Sequence, residues 1–354
     1  MSIGVRVVLD SSLRSRGGVA RHLLELAGGL RQMGIEVSLA VPTDAHWLRA
    51  QAREQDLAVI RQDALRSADI VHYHLGDTFD RGALGRIARQ KALSGVVITE
   101  HLPHSNASDP ALLNGGRRPW VTGAKTAFKR LEFSLADRTI VLSRSCRRFV
   151  ISRYGAAPQA LRLVPNGIPE PPSVAAERSW GGVRIVAAGS LIAQKGFDVL
   201  VRAAADARRW TVELFGDGPA RPQLEALSRE LGAPVLFRGW RPAHEIELRR
   251  ATVVCVPSRW EALPYLALEA MWAGAPLVAS RVDGLVDLID QDETGLLVES
   301  GDHAALALAI SGLVAQPERA ERLARAAQAR AAERFSYQAM LDGVRDVYLE
   351  VLGP

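Results

Sequence analysis

Residues 253–284 read VVCVPSRWEALPYLALEAMWAGAPLVASRVDG, and their pattern predicts a strand, a helix and a second strand. The apolar, β-branched run Val253–Val256 is typical of a buried strand. Pro264 suits the first turn of a helix, and Gly274–Pro276 ends that helix because the proline cannot continue it. Leu277–Ala279 is again apolar and predicts the second strand.

Two glutamates of this stretch occupy positions that favour a binding site. Glu261 lies in the loop before the helix, and Glu269 lies inside the helix. In open α/β sheets, ligands bind at the carboxyl ends of the strands, which is where Glu261 sits. The alternative is that Glu269 is an ordinary surface residue of the helix. The presence of two carboxylates across one strand-to-helix turn favours a ligand-binding role.

Length and composition indicate a globular protein with two domains. The chain has 354 residues, of which 48% are hydrophobic and 23% charged, and this length suits two ordinary domains. Cys146 and Cys255 are far apart and form no metal or redox motif, which fits a reducing compartment. The opening SIGVRVVLD predicts a strand rather than a signal peptide. No apolar run approaches the roughly 18 residues of a membrane span, so we expect a cytoplasmic protein.

Charge is divided unevenly along the chain. Residues 1–168 hold 24 Lys and Arg against 14 Asp and Glu, and the remainder holds 20 against 25, giving +10 and −5. Ten of the basic residues lie between Arg117 and Arg153. They predict a basic face for an acidic acceptor or for the inner face of an anionic membrane, with a solvated surface as the alternative. Nucleic acid is not expected, because stacking aromatics are sparse there.

Polar residues follow two predicted strands of the N-terminal half. Gly17 and Gly18 stand between the strand Val5–Leu9 and a helix, where exposed N–H groups favour a phosphate; a tight turn is the alternative. His101 lies just past the end of the predicted strand Gly95–Thr99 and is placed for substrate contact, unless it is a structural histidine. His72 and His74 are interpreted as mostly structural. No His, Cys or carboxylate spacing indicates a metal site.

Strands and helices alternate through both halves, which predicts two doubly wound parallel-sheet domains. A Pro-rich polar segment, 169–180, is the candidate linker. Motifs extend along nearly the whole chain: Gly17–Val19, His101, Val164–Ile168, Gly189–Gly196, Gly216–Pro219, the Glu261 and Glu269 pair, and Thr294–Val298. In this order and at these spacings, the set resembles the family 4 retaining glycosyltransferases, whose GT-B fold has two facing Rossmann-like domains.

The resemblance implies a division of the chain and of its functions. Residues 1–168, together with a C-terminal helix, 338–354, that crosses back, would bind the acceptor, and 181–337 would bind a nucleoside-diphosphate sugar. A UDP-sugar is favoured, with a GDP-sugar as the alternative. The catalytic residues would be His101, Glu261 and Lys195. The donor-binding residues would be Gly17, Gly18, Ser190, Lys195, Gly239, Glu261, Leu263, Gly284 and Glu269.

The implied chemistry needs charge at the departing diphosphate. Lys195 would supply it, Glu269 would bind the ribose hydroxyls and Glu261 the sugar hydroxyls. Transfer would retain the anomeric configuration without a protein nucleophile, since the leaving phosphate helps to deprotonate the acceptor. Family members usually carry a basic residue where this chain has Ser190, so Lys195 would act alone or with Arg241 or Arg259.

Neither a cofactor nor a divalent metal is expected. The DxD-like Asp290–Asp292 lies in a polar loop where the family has a turn, so we discount it as a metal motif. The acceptor would be a sugar, a cyclitol or a lipid-linked glycan, bound by polar residues of two N-terminal loops: Arg14, Arg16, His104, Asn106 and Arg117. The alternatives are a GT-B-fold sugar-nucleotide 2-epimerase and a non-catalytic carbohydrate-binding homologue.

Overall fold

The computed structural model describes residues 5–13, 17–63, 65, 68–75, 81–101, 119–170, 178, 180, 182–207 and 209–353. The chain forms two compact units. The first comprises Met1–Asn166 and Gln338–Pro354, and the second comprises Gly167–Tyr337.

The first unit contains a seven-stranded parallel sheet with the strand order β3-β2-β1-β4-β5-β6-β7. Its strands are β1 (Arg6–Asp10), β2 (Glu36–Ala40), β3 (Ala58–Ile60), β4 (Ile70–Leu75), β5 (Gly95–Glu100), β6 (Arg138–Val141) and β7 (Leu161–Leu163). Its first five helices are α1 (Gly18–Gln32), α2 (His46–Glu54), α3 (Arg81–Gln90), α4 (Pro119–Leu135) and α5 (Arg144–Tyr154).

The second unit repeats the pattern with a six-stranded parallel sheet, ordered β10-β9-β8-β11-β12-β13. Its strands are β8 (Val183–Ala188), β9 (Trp210–Phe215), β10 (Val235–Gly239), β11 (Val253–Val256), β12 (Leu277–Ser280) and β13 (Leu296–Val298). Its helices are α6 (Phe197–Asp206), α7 (Arg221–Leu231), α8 (Tyr265–Trp272), α9 (Asp283–Leu288), α10 (His303–Ala315) and α11 (Pro317–Arg334).

The last helix, α12 (Tyr337–Leu352), packs almost entirely on the first unit. The Tyr348 hydroxyl hydrogen-bonds His72 Nδ1 at 2.7 Å. Glu350 accepts hydrogen bonds from Arg138 at 2.8 Å and from Arg162 at 3.0 Å. These two arginines hold the pKa of Glu350 at about 2. The C-terminal segment therefore completes the core of the domain in which the chain begins.

Strand order fixes where a ligand can bind in each unit. The order reverses between β1 and β4 in the first sheet, and between β8 and β11 in the second. Loops that leave neighbouring strands in opposite directions open a crevice at the carboxyl edge of such a sheet. The loops after β8 and β11 contain Lys195 and Glu261.

Two details differ from the sequence prediction. The Ser, Asn, Gly and Pro content of residues 105–125 predicts a loop before a helix over Thr126–Ala136, but α4 begins at Pro119, because a proline is well suited to the first turn of a helix. The edge strands β3 and β7 have three residues each, too short for a periodic signal. Among the described residues, no helix is both long and apolar enough to cross a bilayer.

Candidate functional site

The candidate site of the second unit is centred on the carboxylate of Glu261. Its Oε1 atom accepts a hydrogen bond from Lys195 Nζ at 2.6 Å and one from Ser258 Oγ at 2.7 Å. The Glu261 side chain is 6% exposed and that of Lys195 is 23% exposed. Lys195 ends a single 3₁₀ turn after β8, and Ser258 and Glu261 lie between β11 and α8. The two loops thus place a cation and a carboxylate side by side at the switch point of the sheet.

Reciprocal hydrogen bonds hold these two loops together. The Arg259 N–H donates to the Gln194 carbonyl at 2.8 Å, and Gln194 Nε2 donates to the Trp260 carbonyl at 3.2 Å. The Arg259 guanidinium donates to both oxygens of Asp198, each at 2.7 Å. Burial opposes ionisation of Asp198, but Arg259 outweighs it and holds the pKa of Asp198 below its usual value. Arg259 therefore holds the two loops together and pairs with Asp198, and a role for it at a diphosphate stays a prediction.

Two glycines allow backbone to approach backbone within the site. Gly196 adopts φ +63°, and a Cβ atom there would lie 2.0 Å from the Pro257 carbonyl oxygen. A Cβ on Gly284 would lie 1.7 Å from the Ala262 carbonyl oxygen, and the Gly284 N–H donates to the Glu261 carbonyl at 3.0 Å. No side chain fits at either position, so both glycines fix the course of the loop that carries Glu261.

The other predicted donor-binding residues of the second unit lie at the same edge of the sheet or on α8. Ser190 is half-buried directly after β8, and Gly239 ends β10, where its carbonyl accepts a hydrogen bond from Gly216 at 2.8 Å. Leu263 is buried between Glu261 and α8, and Glu269 is half-buried on α8. The assignment of these residues to a nucleotide stays a prediction.

The carboxylates of the Asp290–Asp292 segment have arginine partners. Asp290 pairs with Arg330, and Asp292 pairs with Arg319. The segment forms a turn before β13, in which Asp292 adopts φ +62°. Both carboxylates therefore serve the fold at this turn.

The first unit gathers four histidines at the carboxyl edge of its sheet. His22 lies on α1, His72 and His74 lie on β4, and His101 directly follows β5. His74 Nδ1 and His101 Nε2 are 3.1 Å apart, and the rings of His22 and His101 meet edge to face with centroids 4.8 Å apart. Ring nitrogens of His22, His74 and His101 all lie within 4.8 Å of one another, a set that could hold a metal ion. The expectation of no metal stays a prediction.

Burial keeps these imidazoles neutral. Desolvation lowers the pKa of His22 to about 4. It also lowers the pKa values of His72, His74 and His101 well below the usual value, and the neighbouring histidines add to the effect. Neutral imidazoles can pair with one another through N–H···N hydrogen bonds, since each carries one donor and one acceptor.

Gly17 and Gly18 are exposed at the N-terminus of α1. A Cβ atom added at Gly17 would meet no heavy atom within 4 Å among the described residues, so packing there does not require a glycine. The space around Gly17 suits the approach of a ligand to the helix N-terminus. The predicted acceptor residues Arg14, Arg16, His104, Asn106 and Arg117 lie outside the described residues.

Three residues of these sites were not singled out from sequence. Ser258 precedes Glu261 by three positions directly after a buried strand, a local signal that could have been used. His22 carried no such signal, and His74 was interpreted as mostly structural. His22 is separated from His101 by 79 positions, and only the packing of α1 against β4 and β5 brings the rings together.

Comparison with known proteins decides the family. Residues 16–170 match the Glycosyltransferase Family 4 model and residues 182–316 match the model described as Glycosyl transferases group 1. A D-inositol 3-phosphate glycosyltransferase of Acidothermus cellulolyticus is 33% identical over 83% of this chain and 70% of that protein. The chain belongs to family 4 of the glycosyltransferases. A second D-inositol 3-phosphate glycosyltransferase, from Saccharomonospora viridis, is 31% identical over 93% of this glycosyltransferase and 81% of its own length.

Solved structures show that this glycosyltransferase has the GT-B fold. Sucrose-phosphate synthase of Thermosynechococcus elongatus superimposes with a TM-score of 0.82 at 20% identity, covering 98% of this chain and 99% of that one. HepE of Anabaena in complex with UDP gives 0.79 at 17% identity, covering 96% and 98%. The predictions of family and of fold are confirmed.

Proposed function

We propose that this glycosyltransferase transfers the sugar of a UDP-sugar to a hydroxyl of a cyclitol phosphate or a related saccharide, with release of UDP and with retention of anomeric configuration. The observation that carries the proposal is the Lys195–Glu261–Ser258 cluster at the switch point of the second sheet. The UDP complexes of HepE favour UDP as the nucleotide. The D-inositol 3-phosphate glycosyltransferases favour a phosphorylated cyclitol as the acceptor.

The cluster suits two parts of a nucleotide sugar, the transferred sugar and the diphosphate. Both described contacts of the Glu261 carboxylate fall on Oε1, which leaves Oε2 for hydroxyls of the transferred sugar. Lys195 is partly exposed, so its ammonium group can also reach a diphosphate oxygen. As the glycosidic bond breaks, charge grows on that oxygen, and a fixed cation stabilises it more in the transition state than in the ground state.

We assign the cationic role to Lys195 rather than to a metal ion. Ser190 adds a hydrogen-bond donor for the diphosphate without adding charge. Glu269 is assigned the ribose hydroxyls, and His101 the sugar hydroxyls from the first unit. Activity that survives a strong chelator would support this assignment, and activity restored only by Mg²⁺ or Mn²⁺ would contradict it.

The first unit is assigned the acceptor. Its share of the chain carries the net positive charge, which favours an acceptor with a phosphate group. Part of the basic segment 117–153 is already neutralised, because Lys129 is buried between Glu100 and Glu132 at 3.0 and 3.1 Å. The arginines of α5, including the exposed Arg144 and Arg148, remain for an anionic acceptor or a membrane surface.

The test is a matrix of donors and acceptors. Purified protein is incubated with UDP- and GDP-sugars against inositol phosphates, inositol and simple sugars, and products are identified by mass spectrometry and NMR. We expect UDP release that depends on a phosphorylated cyclitol, with an α product from an α donor. An isomerised nucleotide sugar without transfer would indicate the epimerase, and binding without either reaction would indicate the non-catalytic homologue.

A further inference from the structure

We propose that His74 is a positioning residue for His101: its Nδ1–H donates to His101 Nε2 and so fixes His101 in the tautomer that carries hydrogen on Nδ1. His101 then presents an N–H donor, rather than a lone pair, to a hydroxyl oxygen of the transferred sugar. This inference rests on the proposed function, which gives His101 that contact.

The geometry of the two rings is that of a direct hydrogen bond. His74 Nδ1 and His101 Nε2 are 3.1 Å apart. The ring centroids are 5.3 Å apart and the ring planes are inclined by 29°. If the hydrogen bond lay in the planes of both rings, the centroid separation would equal the nitrogen–nitrogen distance plus the distance from each centroid to its nitrogen. The observed separation is close to that sum, so the hydrogen bond lies near both ring planes. His22 meets the ring of His101 edge to face, at 4.8 Å between centroids.

The direction of the hydrogen bond follows from the other nitrogen of His74. His74 Nε2 is buried and has no hydrogen-bond partner among the described residues. If His101 donated to His74, the hydrogen of His74 would sit on Nε2 as a buried N–H without an acceptor, an arrangement that folded proteins strongly avoid. If His74 donates, Nε2 keeps only a lone pair. The second arrangement leaves no unsatisfied donor on His74.

One hydrogen bond is sufficient to set a tautomer. Both rings are neutral because burial lowers their pKa values, and the nitrogen that is protonated in a neutral imidazole is decided by what the other nitrogen contacts. With Nε2 of His101 accepting from His74, the hydrogen resides on Nδ1. His101 therefore acts by donating to the sugar and not as a general base.

The structure offers matched variants for a test. Asn in place of His74 can put an amide N–H near the position of Nδ1, whereas Leu fills similar space without a donor. Tyr348→Phe removes the hydrogen bond to His72 Nδ1 in the same buried cluster without touching His101. We expect His74→Leu to lower kcat about five- to tenfold with KM nearly unchanged, as for a lost hydrogen bond. His74→Asn recovers most of the rate, and Tyr348→Phe keeps it.

The tautomer itself is read by NMR of protein labelled with ¹⁵N-histidine, with His101 assigned from the signals missing in His101→Ala. We expect His101 to be protonated at Nδ1 in the native protein, and to shift toward the Nε2-protonated form in His74→Leu only. Protonation at Nε2 in the native protein, or the same tautomer in His74→Leu, would overturn the inference. So would a stoichiometric metal ion that is lost in His74→Leu. Full activity of His101→Ala would instead refute the assigned role of His101 and leave the NMR result standing.

Discussion

At the scale of single residues, the site joins two groups that sequence reasoning had assigned to different parts of the donor. Lys195 was assigned to the diphosphate and Glu261 to the sugar, and their side chains are 2.6 Å apart in the structure. The ion pair keeps each side chain in place before a ligand arrives. A nucleotide sugar then binds to side chains that are already ordered, so binding costs less conformational entropy.

Replacement of Lys195 by alanine removes the assigned cation. We expect kcat/KM to fall by about 10²- to 10³-fold, or roughly 2.7–4 kcal/mol of transition-state stabilisation. Arg250→Ala is the matched control, since Arg250 is an exposed cation whose described partner is Glu247 at 3.2 Å, and it was given no role at the diphosphate. Initial rates of UDP release give both values. A near-normal rate in Lys195→Ala would refute the assignment.

Gly284 and Gly312 form a second matched pair. A Cβ on Gly284 would lie 1.7 Å from the Ala262 carbonyl oxygen, whereas a Cβ on Gly312, inside α10, would meet nothing within 4 Å among the described residues. We expect Gly284→Ala to destabilise the protein by about 1–3 kcal/mol through overpacking. Gly312→Ala should stabilise it by up to about 1 kcal/mol, because alanine is the better helix former. Urea unfolding measures both, and equal effects of the two substitutions would contradict the packing argument.

At the scale of elements, the packing of α1, β4 and the end of β5 creates the buried histidine cluster. This arrangement predicts acid sensitivity. An unfolded histidine binds a proton near pH 6.5, but folded His22 binds one only near pH 4. The unfolded chain therefore binds more protons between these values, and the free energy of unfolding falls as the pH falls, by about 1.4 kcal/mol per pH unit for each such histidine.

Urea unfolding at pH 7.5, 6.0 and 5.0 measures this dependence. His22→Gln, which has no proton to gain, should show a shallower fall in stability between pH 6.5 and 4. His303→Gln is the control, because His303 is 46% exposed on α10, and it should keep the native slope. If His22→Gln and the native protein lost stability in parallel as the pH fell, the conclusion that folded His22 is neutral would be wrong.

At the scale of the whole molecule, the chain returns at its end to the domain in which it began. Met340, Leu341, Val344, Val347 and Tyr348 are buried on α12, so the first unit depends on residues that follow the complete second unit in sequence. The packing around the sheet of the first unit is therefore complete only after α12 has been synthesised.

Two substitutions on α12 test this dependence. Val344 is 2% exposed and Leu349 is 42% exposed. Val344→Asp buries an unpaired charge and should destabilise the first unit by at least about 3 kcal/mol, whereas Leu349→Asp should be nearly neutral. Limited proteolysis with mass spectrometry identifies the unit that is cut first. If the Val344→Asp variant were cut within 181–330 before any cut within 1–166, the assignment of α12 to the first unit would be contradicted.

Local pattern in the sequence was sufficient for the fold. The apolar run Val253–Val256, the helix closed by Gly274 and the next apolar run each depend on neighbours a few positions away, and the same holds for the strands in both halves. The order of the motifs was then sufficient for the family. The start of α4 was predicted at Thr126 rather than at Pro119, because residues 105–125 have a composition typical of a loop.

The contacts of the site were decided by tertiary structure. Sequence placed Lys195 after one strand and Glu261 after another, but the strand order that makes β8 and β11 neighbours brings Lys195 Nζ within 2.6 Å of Glu261 Oε1. Likewise, no spacing in the sequence relates His22, His74 and His101. Periodicity in the sequence indicates which face of a helix or strand is buried. Hydrogen bonds between loops depend instead on where distant elements pack, and only the folded sheet determines those positions.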